Sequence, residues 1–280
     1  MISPLCESTS MANLKRAEFK VLLTFDFDAE SAQVRKTPHL PVTLSKGQFA
    51  PRVGVPRILD LLDEYKIKAT FFTPSWTAQT YPKETREIAR RGHEVATHGF
   101  LHENFSELSN EQELKIHQDS IRIIEELTGE RPVGFRAPYW EWSTRTLAYL
   151  QQCGFGYDSS LMNDDKPYLL KAETNGVMYE LPVEWFLDDW TLFEVEHQSP
   201  TAVLDAWRNE FDAVYALGVG YFMLTMHPEC IGRASRILLL KKLIQHISRK
   251  RNVKFVRCDK LVQQLTNPKI GQARKLNRVN

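Results

Sequence analysis

KVLLTFDFD, residues 20–28, begins as an apolar β-type run and ends in two carboxylates, the pattern of a buried strand whose C-terminal end opens onto a polar site. Working outward, KATFFTPSW predicts a second strand over 68–73 and HEVATH a third over 93–98. GFRAP, GYDSS, MYELPVEW, YFMLTMHP and KFVRC each read as a further short strand. Helical segments fall between them. One opens near Pro56 with the apolar stripe Ile58, Leu59, Leu61, Leu62 and Tyr65. Another covers 82–91 and closes at Gly92, and a long one covers 109–128, with Ser109 and Gln112 in capping-box spacing and Gly129 as its stop. Further helices are expected near 143–153, 201–217 and 233–250, with a last one after 258. Strands alternating with helices imply parallel βα units. The expectation is an α/β protein with a single distorted (β/α) barrel of six to eight parallel strands over 20–265. A flexible N-terminal segment (1–19) would precede it and a basic tail (266–280) would follow.

Composition agrees. The 280 residues are 42% hydrophobic and 25% charged, enough for one large core. A net charge of +1 and a pI near 7.7 argue against nucleic acid as a partner. No apolar run approaches the roughly 20 residues that span a bilayer, and the first 20 residues lack the apolar stretch of a secretory signal. Met1 and Met11 are both candidate starts. Cys6, Cys153, Cys230 and Cys258 are scattered without a CxxC pair, as in a reduced, cytoplasmic protein. The stretch from Ala29 to Pro51 exceeds the usual ~12–15 residues of a structureless connection, so it should be functional or carry short structure of its own.

Polar, metal-competent residues recur at the predicted strand ends: Asp26 and Asp28, His98 and His102, Arg136, and His227. Parallel barrels gather their active sites at that face. His98-Gly-Phe-Leu-His102 has i, i+4 spacing, which on one helical turn would turn both imidazoles to one side. Two histidines and one carboxylate make a set suited to Zn²⁺, Co²⁺, Ni²⁺ or Fe²⁺. Alone, HxxxH is weak, since two ordinary structural histidines fit it as well. Asp26 and Asp28 would share one side of a strand and repel unless a cation or base stands between them; a solvated strand end fits the same pattern.

Taken together, these residues resemble the polysaccharide deacetylase family (NodB homology, carbohydrate esterase 4-like). TFDFD (24–28) is similar to its first motif, TFDDG, without the glycine; HGFLH (98–102) resembles the second, with Gly99 in place of Ser or Thr. Arg136-Ala-Pro-Tyr139 matches the third, RxPY, and Leu224-Thr-Met-His227 the last. Leu187-Asp188-Asp189-Trp190 is a looser match to the fourth. The resemblance covers roughly residues 20–260. It implies metal-assisted hydrolysis of a non-peptide carbon–nitrogen amide bond, N-deacetylase-like. One divalent ion, Zn²⁺ first among the candidates, would be held by Asp28, His98 and His102. Asp26 would be the base, tuned by Arg136, and His227 the general acid, oriented by one of Asp188 and Asp189. Tyr139 would line the site and lend its N–H to an oxyanion pocket.

VGVPRIL (53–59), RAPYWEWS (136–143), YDSSLMNDDKPY (157–168) and LPVEWFLDDW (181–190) resemble a cytoplasmic subgroup with peptidoglycan-deacetylase-like and allantoinase-like members. That subgroup implies a closed pocket, a homo-oligomer and a small N-acyl substrate; ring opening of a cyclic amide, imide or ureide is the alternative. Tyr139, Trp140 and Trp142 are the expected substrate-binding residues, within a set of tryptophans (with Trp76, Trp185 and Trp190) of which some would simply fill core.

Overall fold

The computed structural model describes residues 18–171 and 177–267. The expected flexible segment up to residue 17 and the basic tail from 268 lie outside the described residues. Nine strands form one sheet there: β1 (Phe19–Asp26), β2 (Thr70–Thr73), β3 (Glu94–Thr97), β4 (Gly134–Phe135), β5 (Tyr157–Asp158), β6 (Tyr168–Lys171), β7 (Val177–Glu180), β8 (Tyr221–Met226) and β9 (Val253–Phe255). Their order is β6-β7-β5-β4-β3-β2-β1-β8. β8 pairs with β1 over Lys20–Phe25, while β2 meets β1 only from Thr24 onward and β9 pairs with Phe19–Val21. β2 and β9 therefore share one edge of β1, β9 below and β2 above.

Eight of these strands run parallel, as the βα rhythm implies. β6 pairs antiparallel with β7, an arrangement the sequence reading did not foresee. YLLK is only four residues long and alternates between half-buried and exposed, so it carries the weak signal of an edge strand. The short connection to β7 permits only antiparallel neighbours.

Alternation along β1 places the chemistry. Val21, Leu23 and Phe25 enter the large cluster under the helices, whereas Leu22 joins an inner cluster with Phe72, Tyr157 and Met223. Thr24 and Asp26 follow Leu22 inward by the period of two, so Asp26 arrives at the upper rim facing the axis. Helices cover the outside. Asn110–Thr128 starts with the expected capping box of Ser109 and Gln112 and ends at Gly129 with φ +77°. Pro200–Leu217 and Ala234–Ser248 pack over β1 and β8. The helix Cys258–Thr266 plugs the bottom, where the Asp259 N–H and the hydroxyls of Thr70 and Tyr157 all donate to the buried Glu94 carboxyl. Among the described residues no helix is long and apolar enough to cross a membrane.

The sheet curls but no ladder joins β7 to β8. The chain from 181 to 195 spans the opening, tied by a single parallel bridge of Asp188 to Thr225. Tyr221 Oη donates to the Pro182 carbonyl at 3.1 Å, and Trp207 Nε1, fully buried, to the Phe186 carbonyl at 3.1 Å. Trp207→Phe keeps most of the apolar volume and removes that donor, so urea unfolding should show a loss of about 1–3 kcal/mol. An unchanged midpoint would mean that the bond does not hold the spanning segment.

Candidate active site

The sequence-predicted residues converge at the upper rim. Asp26 ends β1, and Asp28 follows two residues on. The backbone turns sharply behind Asp28, with Ala29 at φ +50°. Glycine takes that left-handed conformation freely, and an alanine holds it here at some strain. Thr77 Oγ1 and the Ser31 N–H both donate to the Asp28 carbonyl and fix the turn.

The histidine pair comes together differently from the expectation. His98 to His102 form no helical turn; the chain bends, with Gly99 at φ +72° and His102 itself at φ +56°. The Glu103 carboxylate accepts the N–H groups of Phe100 and Leu101, tying the bend to its own side chain. The i, i+4 spacing therefore works through a loop, with the ring centroids 5.0 Å apart.

Asp28 stands between the two rings. His98 Nε2 lies 3.5 Å from Asp28 Oδ1, and His102 Nε2 lies 3.2 Å from Oδ2. Donors bound tetrahedrally to zinc lie about 3.3 Å apart, so this spacing suits one ion. Asp28 Oδ1 is buried and has no hydrogen-bond partner among the described residues. His98 Nδ1 sits 2.7 Å from the Arg136 carbonyl, which sets the tautomer that leaves Nε2 free toward Asp28. Burial, the largest influence, lowers the His98 pKa below its ordinary value and favours the neutral, ligand-competent ring. The donor set and its unmet oxygen fit a divalent cation.

Asp26 stands beside this trio, its Oδ2 3.8 Å from His98 Nε2, and turns its other oxygen to a fixed cation. Arg136 is fully buried; its Nη1 donates to Asp26 Oδ1 at 2.6 Å and to Thr24 Oγ1 at 3.1 Å. Its Nε and Nη2 donate to the Ser159 carbonyl and hydroxyl, and its guanidinium lies over the Phe72 ring. The repulsion between the two carboxylates is thereby answered by one fixed cation.

His227 lies just past β8. Asp189 accepts from both its backbone N–H (3.0 Å) and its ring Nδ1 (2.8 Å), leaving Nε2 facing Asp28 at 3.8 Å. Burial alone would lower the His227 pKa; the hydrogen bond and charge of Asp189, with Asp188 and Asp26 behind it, outweigh burial and hold it well above 6.5. Asp188 Oδ2 accepts from the Thr191 N–H and hydroxyl, so Asp188 shapes the turn beside it.

Asp26, Asp28, His98, His102, Asp188 and His227 line one cavity of about 350 Å³, with Arg136 and Asp189 behind them. Tyr139, Trp140, Trp185 and Trp190 form its aromatic wall, with Trp140 and Trp185 rings 4.3 Å apart. Trp142 is not part of it: the backbone turns through left-handed Tyr139 and Trp140, and Trp142 packs instead against the separate cluster that contains Phe105 and Phe135. Trp76 also lies outside the lining. The long connection 29–51 carries two helices, Ser31–Lys36 and Pro41–Phe49, and brings Gln33, Lys36 and Thr37 to the mouth. Glu229 is a lining residue the sequence reading missed; a lone carboxyl two residues past His227 carries no spacing signal.

Comparison with known proteins gives a consistent picture. The family model described as polysaccharide deacetylase matches residues 14–157. A peptidoglycan deacetylase of Helicobacter pylori is 32% identical over 250 residues, covering 77% of this chain and 85% of that protein. The crystal structure of a polysaccharide deacetylase from Mycobacterium smegmatis superposes with a TM-score of 0.84 at 36% identity, over 96% of this chain and 97% of the other. The Puue allantoinase structure shares the fold, with a TM-score of 0.80 at 22% identity over 95% and 98% of the two chains.

A histidine whose folded pKa is raised stabilises the fold fully below its unfolded value near 6.5, and that contribution is lost as pH rises through the folded value. In Asp189→Asn the His227 midpoint, followed by NMR in metal-free protein, should fall from well above 6.5 toward that value. An unmoved midpoint would remove Asp189 as the cause.

Proposed function

The chain belongs to the polysaccharide deacetylase family, hydrolases of amide bonds, and from that premise we propose that it is a divalent-metal-dependent hydrolase of a small amide. The observation that carries the reading is the buried Asp28 carboxylate standing between two histidine Nε2 atoms, with its Oδ1 unmet among the described residues. Asp28, His98 and His102 would hold the ion, zinc first among the candidates. Bound there, it supplies polarisation of the acyl oxygen and a more acidic attacking water.

The chain's own residues supply the rest. Asp26, held by Arg136, takes the proton from water as the oxygen attacks the acyl carbon. The Tyr139 N–H at the cavity wall helps hold the oxyanion, a donor of that kind contributing about 2.7–4 kcal/mol. His227, kept as imidazolium by Asp189, gives its Nε2 proton to the departing nitrogen as the C–N bond breaks. The products are a carboxylic acid and an amine. Asp26 and His227 thus divide base and acid duties because one faces a fixed cation and the other a fixed anion.

A cavity of about 350 Å³ lies at the small end of ligand pockets and supports a compact N-acyl or cyclic amide over a threaded polymer. Buried Cys230 and Cys258 support a reducing, cytoplasmic setting. Association of identical copies belongs to the same reading, and its measure is the mass in solution.

Zinc-reconstituted wild type should hold one ion per chain and His98→Ala almost none; a folded His98→Ala protein with full occupancy would falsify the ligand set. Asp26→Asn should keep the ion and lose turnover by about 10²–10⁴-fold, whereas Asp28→Asn should lose both. On substrates, N-acetylglucosamine oligomers and peptidoglycan should turn over poorly beside monomeric or cyclic amides. Acetate released from intact polymer, with small amides untouched, would overturn the compact-substrate reading.

A further inference from the structure

The turn that follows His227, Pro228–Ile231, presents Glu229 to the cavity. Glu229 is only 4% exposed, and its Oε2 is buried without a hydrogen-bond partner among the described residues. Native structures rarely leave a buried polar atom unmet without a functional reason. The proposed mechanism uses Asp26, Asp28, Arg136 and three histidines, and leaves this carboxyl unassigned.

Its placement is built. A Cβ at Gly54 would lie 2.2 Å from the Pro228 carbonyl oxygen, and one at Gly232 would lie 2.4 Å from the same atom, so the turn is wedged where only glycines fit. Arg233 Nε donates to the Glu229 carbonyl and Arg57 Nη1 to that of Gly232, fixing both ends. Nothing in that packing gives Oε2 a donor. A donor arriving from the cavity would supply the partner that the packing withholds.

We propose that Glu229 determines substrate specificity: its free oxygen accepts an N–H that the substrate carries beside the amide under attack, so the site selects amides with a second nitrogen, as in carbamoyl and imide groups, over simple acetamides. This rests on the reading of the cavity as a metal-dependent amide hydrolase site. It deepens that reading by naming the feature that marks the substrate.

Two isosteric metal chelators test it without turnover. Acetohydroxamic acid and hydroxyurea differ by a methyl group in place of an NH₂, so only hydroxyurea offers the extra N–H. Their binding to zinc-reconstituted protein is measured by calorimetry for wild type, Glu229→Met, the smaller Glu229→Ala, and Glu229→Gln, which keeps an acceptor oxygen. Removing the acceptor should weaken hydroxyurea by about tenfold and acetohydroxamic acid by less than about twofold, and Glu229→Gln should retain part of the preference. Either acceptor-free variant suffices if the other does not fold. Equal loss for both chelators, or none for either, overturns the assignment of Glu229 while leaving the metal site standing. Failure of both chelators to bind wild type overturns the metal reading, and this assignment with it.

Discussion

A buried arginine organises the top of this barrel. Arg136 reaches Asp26 and Thr24 on β1 and Ser159 beyond β5, tying three parts of the sheet at the level where the chemistry begins. Every guanidinium nitrogen is used, and Phe72 backs the group. Burying such a cation is tolerable only with this complement of acceptors, and breaking a buried pair costs about 3–5 kcal/mol because the remaining charge is stranded. The same residue's carbonyl fixes the His98 ring. One side chain and its own backbone therefore set both the proton-accepting carboxylate and a neighbouring histidine.

Around that anchor the site separates opposite protonation demands within a few ångströms. Burial favours the neutral form of His98, whereas His227, somewhat less enclosed, is held charged because Asp189 meets it at two points. The two carboxylates of the first motif diverge the same way: Asp26 faces a fixed cation, and Asp28 faces imidazoles and keeps an oxygen unmet. Identical residue types take different states because their partners come from different strands.

The unclosed side of the sheet matters to the same geometry. Because β7 and β8 do not pair, the chain between them can fold inward and deliver Trp185, Asp188 and Trp190 to the cavity and Asp189 to His227 behind it. A closed ladder would have pointed those residues alternately in and out. Trp207 and Tyr221 hold that segment through backbone carbonyls, so the wall is anchored without a strand.

The sequence by itself determined the parallel βα rhythm and the capped helix at Ser109, because period and capping are local properties of the chain; which face of β1 turns inward came only from the packing of its two clusters. It also brought Asp28, His98, His102, Arg136 and His227 to notice, since each stands at or just past the end of an apolar strand. It did not decide how His98 and His102 meet: the bend depends on Glu103 and on a left-handed His102, which spacing does not encode. Nor could it choose Asp189 over Asp188, exclude Trp142 from the cavity, or find β6 and Glu229. Those outcomes depend on which segments pack together, and only tertiary structure brings residues such as Gly54 and Pro228 into contact.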